Sequence, residues 1–207
     1  MYIKTEAIVL KRSNFGEADR IVTFYTKDFG KATALAKGVR RPRSRKGGHI
    51  ELANWCKIFI AKGKNLDILT EVELKKSFGA ENFTHEKLNK ICHVLEIIES
   101  LTPEHQKNLE VYHLLVTYLN RISTEEDFNL LSSVFKIKIL SSLGFFSSKH
   151  LKDSKTKKIL EILEDEKFED IKRTINLSTP SYLKLLSFLD SMIENVTQTK
   201  IKTNRFL

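Results

Sequence analysis

The chain has 207 residues, 41% apolar and 29% charged, which excludes a disordered or fibrous polymer and leaves room for one large domain or two small ones. Its two cysteines, Cys56 and Cys92, are too few for a disulfide framework and lack the paired spacing of a zinc site, so a reduced, intracellular setting is expected. The formal charge of +9 is unevenly placed: residues 1–80 hold 17 Lys/Arg against 8 Asp/Glu, and residues 81–207 hold 18 against 18. A basic half beside a balanced half predicts that the first segment meets a polyanion.

At the start, Lys4 and Glu6 precede a short apolar run, Ala7 to Leu10, so no signal-peptide core is expected. No later stretch reaches membrane-spanning length, and the cytoplasm is the expected compartment. Seven of the eight glycines lie in the first 79 residues, separated by β-branched and aromatic runs, the punctuation of antiparallel strands. Strands are predicted near residues 3–12, 20–27, 31–38, 52–61 and 66–75, with turns at Ser13 to Gly16, Asp28 to Gly30 and Gly63 to Asn65. In the last strand, Leu66, Ile68, Thr70, Val72 and Leu74 alternate with Asp67, Glu71 and Glu73. Five short strands in about 80 residues match a small barrel, and the five-stranded OB-fold is the common soluble barrel that handles oligonucleotides.

From Glu81 the period becomes helical. Leu88, Ile91, Cys92, Leu95 and Ile98 make one apolar face; Leu109, Tyr112, Leu115, Val116 and Leu119 a second; Leu131, Val134, Phe135, Ile139 and Leu143 a third. Pro103 separates the first two helices, and Ser178-Thr179-Pro180 opens a last one with Leu183, Leu186, Leu189 and Ile193 facing inward. The expected fold is α+β in two domains, an OB-fold barrel over residues 1–79 and an all-α domain over 80–207, packed on each other.

The most specific local feature runs from Ala36 to Gly48. Lys37, Arg40, Arg41, Arg43, Arg45 and Lys46 place six cations in ten residues, and Pro42 with Gly47-Gly48 forbids a helix or an inner strand. The segment is therefore a loop between the third and fourth strands. It prefers arginine in a lysine-rich chain, as suits the planar fork that grips phosphate oxygens in pairs. Lys11 and Arg12 on the first strand join this candidate DNA-binding set, and Phe15 and Trp55 are candidate platforms for base stacking, with Phe29 beside the second turn. Solvated loop charges and core aromatics are the plain alternatives.

Catalytic patterns are poorly represented, and no enzyme is expected. Gly63-Lys64 lacks the upstream glycine of a phosphate-binding loop. His85 and His93, like His105 and His113, stand eight apart, off the spacing of a helical zinc pair. Glu17 with Asp19 neighbours Arg20, and Glu125-Glu126-Asp127 suits a helix start. Cys56 has no evident base partner.

Ile3 to Leu10, Phe15-Gly16-Glu17-Ala18-Asp19-Arg20-Ile21-Val22, Phe29-Gly30-Lys31, and Ala36 to Arg41 with Ser44-Arg45 resemble, in order and spacing, the N-terminal domain of the bacterial RecO family. The likeness continues more loosely at Gly63, Leu66-Asp67, Phe135 through Leu143-Gly144-Phe145, and Lys202 to Leu207. The resemblance implies an OB-fold followed by a helical domain, binding of single- and double-stranded DNA, annealing of complementary strands, and loading of RecA with RecR onto DNA coated by single-strand-binding protein. It implies no catalytic centre and a nucleoid-associated cytoplasmic location. Many relatives carry a cysteine-rich zinc module after the leucine-glycine-aromatic phrase; Phe145 to Lys158 has no cysteine, so no metal or other cofactor is expected. Lys136 stands where the family often has an acid, and Leu52-Ala53 where it often has proline. Some relatives bind the acidic, apolar-ended tail of single-strand-binding protein, for which a groove beside Arg121, Lys136 and Lys138 is the electrostatic candidate. An RNA-binding OB protein of the translation machinery is the first alternative, and a metal-dependent nuclease the second.

Overall fold

A computed structural model describes residues 2–78, 84–150 and 154–203. Five strands come first: β1 (Tyr2–Phe15), β2 (Asp19–Thr26), β3 (Gly30–Ala36), β4 (Trp55–Ala61) and β5 (Asp67–Lys76). They close into a barrel in the order β1-β2-β3-β5-β4, with β1 pairing back to β4 and a short parallel contact between β3 and β5. This is the OB-fold topology that the strand spacing predicts. Its interior is filled from alternate positions: Ala7 and Val9, Val22 and Phe24, Ala34 and Ala36, Cys56, Ile58 and Ile60.

Three expectations shift in detail. β1 runs on to Phe15, so the first turn is residues 16–18 and not 13–16. β4 begins at Trp55 and not at residue 52, because a 3-10 turn at Gly47–Ile50 and the left-handed Ala53 (φ 63°) precede it. In β5 the even-residue face does not hold along the strand. Phe59 pairs with Glu71 but Ile60 pairs with Leu69, so Thr70 is an extra residue; Leu69 fills the core on one side of this bulge and Val72 packs against it on the other. Leu66 and Leu74 are left exposed.

β1 buries four residues in a row, Ala7 to Leu10. Ala7 and Val9 point into the barrel, while Ile8 and Leu10 are buried without belonging to that cluster, and β1 packs against α1 (His85–Leu101). The Lys31 ammonium donates to the Glu99 carbonyl in the last turn of α1 (2.6 Å), where a cation is favoured. Gly30 has φ 69°, and a Cβ there would collide with the Gln106 carbonyl, so both its conformation and its neighbour require glycine.

The described chain forms two compact units that divide between Tyr112 and His113, inside α2 (Leu109–Arg121). The first unit thus holds α1 and the start of α2 as well as the barrel; Gly79, where the sequence places the boundary, lies outside the described residues. The second unit contains the rest of α2 with α3 (Phe128–Ser142), α4 (Ser154–Asp165), α5 (Phe168–Thr174) and α6 (Thr179–Thr197). α3 is buried on nearly every side, with Leu130, Ile137 and Leu140 inside as well as the expected stripe, because α4, α5 and α6 all pack on it. α6 starts as expected after Ser178, but Tyr182 takes the inward position given to Leu183, which is exposed. Among the described residues no helix is long and apolar enough to cross a membrane.

Candidate nucleic-acid interface

Residues 37–54 link β3 to β4, and two apolar side chains pin this loop into the barrel: Val39 and Ile50 both belong to the core cluster. Hydrogen bonds fix the rest. The Gly38 amide donates to Asp19 Oδ1 (2.7 Å), the Arg40 amide to the Ala18 carbonyl (2.9 Å), and the Arg40 guanidinium to the Gly16 carbonyl (3.1 Å). The loop is thereby lashed to the β1–β2 turn, and both lie at one end of the barrel. Inside it, the Arg41 amide donates to the Gly38 carbonyl and the Ser44 amide to the Arg41 carbonyl, two successive turns that suit the Pro42 between them.

This anchoring leaves the cations outside. Lys37, Arg40, Arg41, Arg43 and Arg45 are exposed. Lys37, Arg41, Arg43 and Arg45 have no acidic partner within ion-pair distance among the described residues, so their charge is uncompensated at short range. Phe15 is 48% exposed at the last position of β1, beside the turn that carries the loop. Lys11 is exposed on β1 and reaches Glu99 at 3.3 Å.

Other candidates are differently placed. Lys46 turns inward, its ammonium 3.4 Å from the carbonyls of Leu69 and Thr70 at the β5 bulge. Arg12 is half-buried and paired with Glu51, which also holds Arg20 at 3.4 Å. Arg20 and Glu51 were missed by the sequence reading; the hairpin register, which sets Asn14 against Arg20 and Arg12 against Val22, is the signal that would have found the pair of arginines. Trp55 is no open platform. Its Nε1–H donates to the Tyr112 hydroxyl (3.0 Å), which donates to Glu6 (3.3 Å); Glu6 accepts from Lys75 (2.6 Å), and the Lys75 ammonium lies 4.2 Å from the indole centroid. The Lys75 hydrogen bond holds the Glu6 carboxyl below its ordinary range, and burial beside Glu6 pushes the Tyr112 phenol up. Phe29 is in the β2–β3 turn, lining a separate 250 Å³ pocket with Thr5 and His105.

In the helical unit the three cations proposed for an acidic tail do not form an open positive groove. Lys136 is 2% exposed and paired with Asp190 at 2.6 Å. Lys138 donates to the carbonyls of Glu164 and Glu166 (both 2.8 Å) at the end of α4, where helix carbonyls lack partners. Arg121 pairs with Glu169 at 2.7 Å and stacks 4.4 Å from the Phe168 ring. A 410 Å³ groove does exist, floored by Tyr118, Leu131 and Phe135, but Asp165, Glu166, Glu169 and Asp170 share its rim with Arg121 and Lys138. Among the described residues no group of three or more His, Cys, Asp or Glu side chains is placed to hold a metal ion.

The family model described as Recombination protein O N terminal matches residues 1–78, and Recombination protein O C terminal matches residues 86–148. The chain belongs to the RecO family. It is 32% identical over 142 residues to the DNA repair protein RecO of Pelotomaculum thermopropionicum, covering 69% of this chain and 55% of that one. With the DNA repair protein RecO of Acetivibrio thermocellus it shares 33% identity over 145 residues, 70% of this chain and 58% of the relative. With that of Symbiobacterium thermophilum it shares 33% over 141 residues, 68% and 56%. The chain thus spans a little over half the length of the curated relatives it matches. The match through residue 78 takes in the whole basic loop.

Proposed function

We propose that the chain acts in DNA repair and recombination as a non-enzymatic mediator. It binds single- and double-stranded DNA at the basic end of the barrel, anneals complementary strands and, with RecR, loads RecA onto DNA coated by single-strand-binding protein. The observation that carries this reading is the loop of residues 37–54, pinned by Val39 and Ile50 and presenting five exposed cations. Membership in the RecO family supports the pathway, and RecR is proposed as partner on the family resemblance alone. It does not favour the translation-machinery alternative. The proposed compartment is the cytoplasm, on the nucleoid.

The mechanism is electrostatic. Two complementary strands repel through their phosphates, and a strand whose phosphates lie along Lys37, Arg40, Arg41, Arg43 and Arg45 repels its complement less. Arginine grips phosphate oxygens without reading bases, so Watson–Crick edges stay available for pairing. The reaction makes and breaks no covalent bond, and the role proposed here asks no acid, base or nucleophile of the protein. An acidic tail of single-strand-binding protein has little electrostatic support at the helical groove, where Arg121 and Lys138 are engaged and four acids line the rim.

Binding of a labelled single-stranded oligonucleotide across a salt series tests the reading. Five phosphate contacts give a log-log slope of about −3.5, or roughly a hundredfold loss of affinity from about 50 to 200 mM salt. Arg41→Ala/Arg43→Ala/Arg45→Ala should reduce the slope by about 2 in magnitude. Salt-independent binding, an unchanged slope in the folded triple variant, or cleavage of the DNA in magnesium would overturn it.

A further inference from the structure

We propose that Ser44 is a phosphorylation site, and that a phosphoryl group on it switches the basic loop off. The proposal rests on the DNA-binding reading above and adds its regulation.

Ser44 is the only serine, threonine or tyrosine between Thr33 and Thr70, and it stands inside the cationic run. Arg40, Arg41 and Arg43 precede it, and Arg45 and Lys46 follow. Such a flank is complementary to the substrate groove of a basophilic protein kinase, in which carboxylates grip arginines beside the acceptor hydroxyl. Access is also in place. Arg41, Pro42, Arg43 and Arg45 are exposed, Ser44 is half-buried, and none of them lies in a helix or strand. The Ser44 hydroxyl makes no hydrogen bond among the described residues, so no contact of its own opposes the reaction. A kinase takes its substrate as an extended segment. Within residues 41–45 the backbone bond that extension breaks runs from the Ser44 amide to the Arg41 carbonyl (2.9 Å), and the core anchors Val39 and Ile50 lie outside this window. The loop therefore opens at Ser44 without disturbing the barrel.

In the reaction the Ser44 Oγ bonds to the γ-phosphorus of a nucleoside triphosphate. The bond from that phosphorus to the bridging oxygen breaks, the nucleoside diphosphate leaves with the electron pair, and the hydroxyl proton passes to a carboxylate of the kinase. The product carries a charge of about −1.5 to −2. It arrives beside Arg41, Arg43 and Arg45, which have no acidic partner within ion-pair distance among the described residues. Phosphate oxygens fit the guanidinium fork, so the loop's own phosphoryl group takes the cations that a DNA phosphate otherwise takes. About two of the exposed cations are neutralised.

The test uses the full-length chain with phosphoserine built in at position 44 during synthesis, beside the unmodified chain. Each binds a labelled single-stranded oligonucleotide across a salt series. With about three phosphate contacts left of five, the log-log slope should shallow from about −3.5 to about −2, and affinity at about 100 mM salt should drop roughly twentyfold. Phosphatase treatment should restore both. Equal slope and affinity with and without the phosphoryl group would overturn the switch. Peptide mass spectrometry of the chain isolated from its own cells, growing and after DNA damage, should find Ser44 phosphorylated in at least one state; an unmodified Ser44 in both would overturn the site. Neither result touches the mediator reading, which falls if the folded, unmodified chain fails to bind the oligonucleotide.

Discussion

Trp55 shows how a residue's neighbours decide its role. On β4 beside Asn54 and Lys57 it is a candidate for stacking bases, yet its indole N–H is spent on Tyr112 and one face is covered by Lys75. A platform needs an open ring face, and this ring is shared with a closed Trp55-Tyr112-Glu6-Lys75 network. Trp55 is the sole tryptophan, so its fluorescence is a clean reporter. Saturating single-stranded DNA should leave its emission unquenched; strong static quenching would restore it as a stacking residue. Phe15, exposed at the turn, keeps that role open to test by the same logic with Phe15→Ala. The strand pattern made Trp55 visible as a β4 residue, but not Tyr112 above it, because the two are 57 positions apart and no local pattern encodes that meeting.

At the scale of elements, most of the barrel was legible and most of the helical packing was not. Strands announce themselves by glycine punctuation and alternation, which survive without knowledge of neighbours. Their phase is less secure: the Thr70 bulge hands the inner face of β5 from Leu69 to Val72, and nothing in the run of residues marks it. α4 and α5 were not distinguished, since α5 spans only seven residues and a helix that short has little period to read. α3 was legible as a helix but taken as one-sided, which left Lys136 on an imagined surface. Its ammonium instead meets Asp190 in the packed interior, where burial outweighs the pull of Lys136 and holds the Asp190 carboxyl above its ordinary range. Lys136→Ala should cost about 3 kcal/mol in denaturant unfolding, and Lys136→Met/Asp190→Leu should recover most of it; a single variant as stable as wild type would remove the pair from the account.

Just before α3, Glu125 accepts from the amides of Glu126 and Asp127 and from Lys172 at 2.8 Å. Burial raises its carboxyl, but the Lys172 hydrogen bond and the two amides outweigh that and hold it below the ordinary 4.5. A depressed carboxylate contributes stability that is complete above its unfolded value and fades as pH falls through its folded one. The stability gap between wild type and Glu125→Gln should thus be constant near neutrality and close below about pH 4.5. Parallel pH profiles for the two proteins would contradict this.

Across the whole molecule, the division of charge is the most direct link between composition and function. Residues 1–80 carry the entire net excess of +9, and the loop of residues 37–54 displays a large share of it at one end of the barrel. Six loop cations were legible as a set; that five face outward and Lys46 faces the β5 carbonyls follows from the bulge and the loop's two core anchors. Arg12 was legible as a charge but not as one held by Glu51, since the hairpin and the loop end must first be brought together. The central claim is that this loop lowers repulsion between complementary strands. Its most direct test is the annealing rate of two complementary labelled oligonucleotides at about 50 and 200 mM salt, with wild type and with Arg41→Ala/Arg43→Ala/Arg45→Ala. The account predicts acceleration by wild type that weakens with salt and is largely lost in the folded triple variant. No acceleration by folded wild type, or full acceleration by the triple variant, would contradict it.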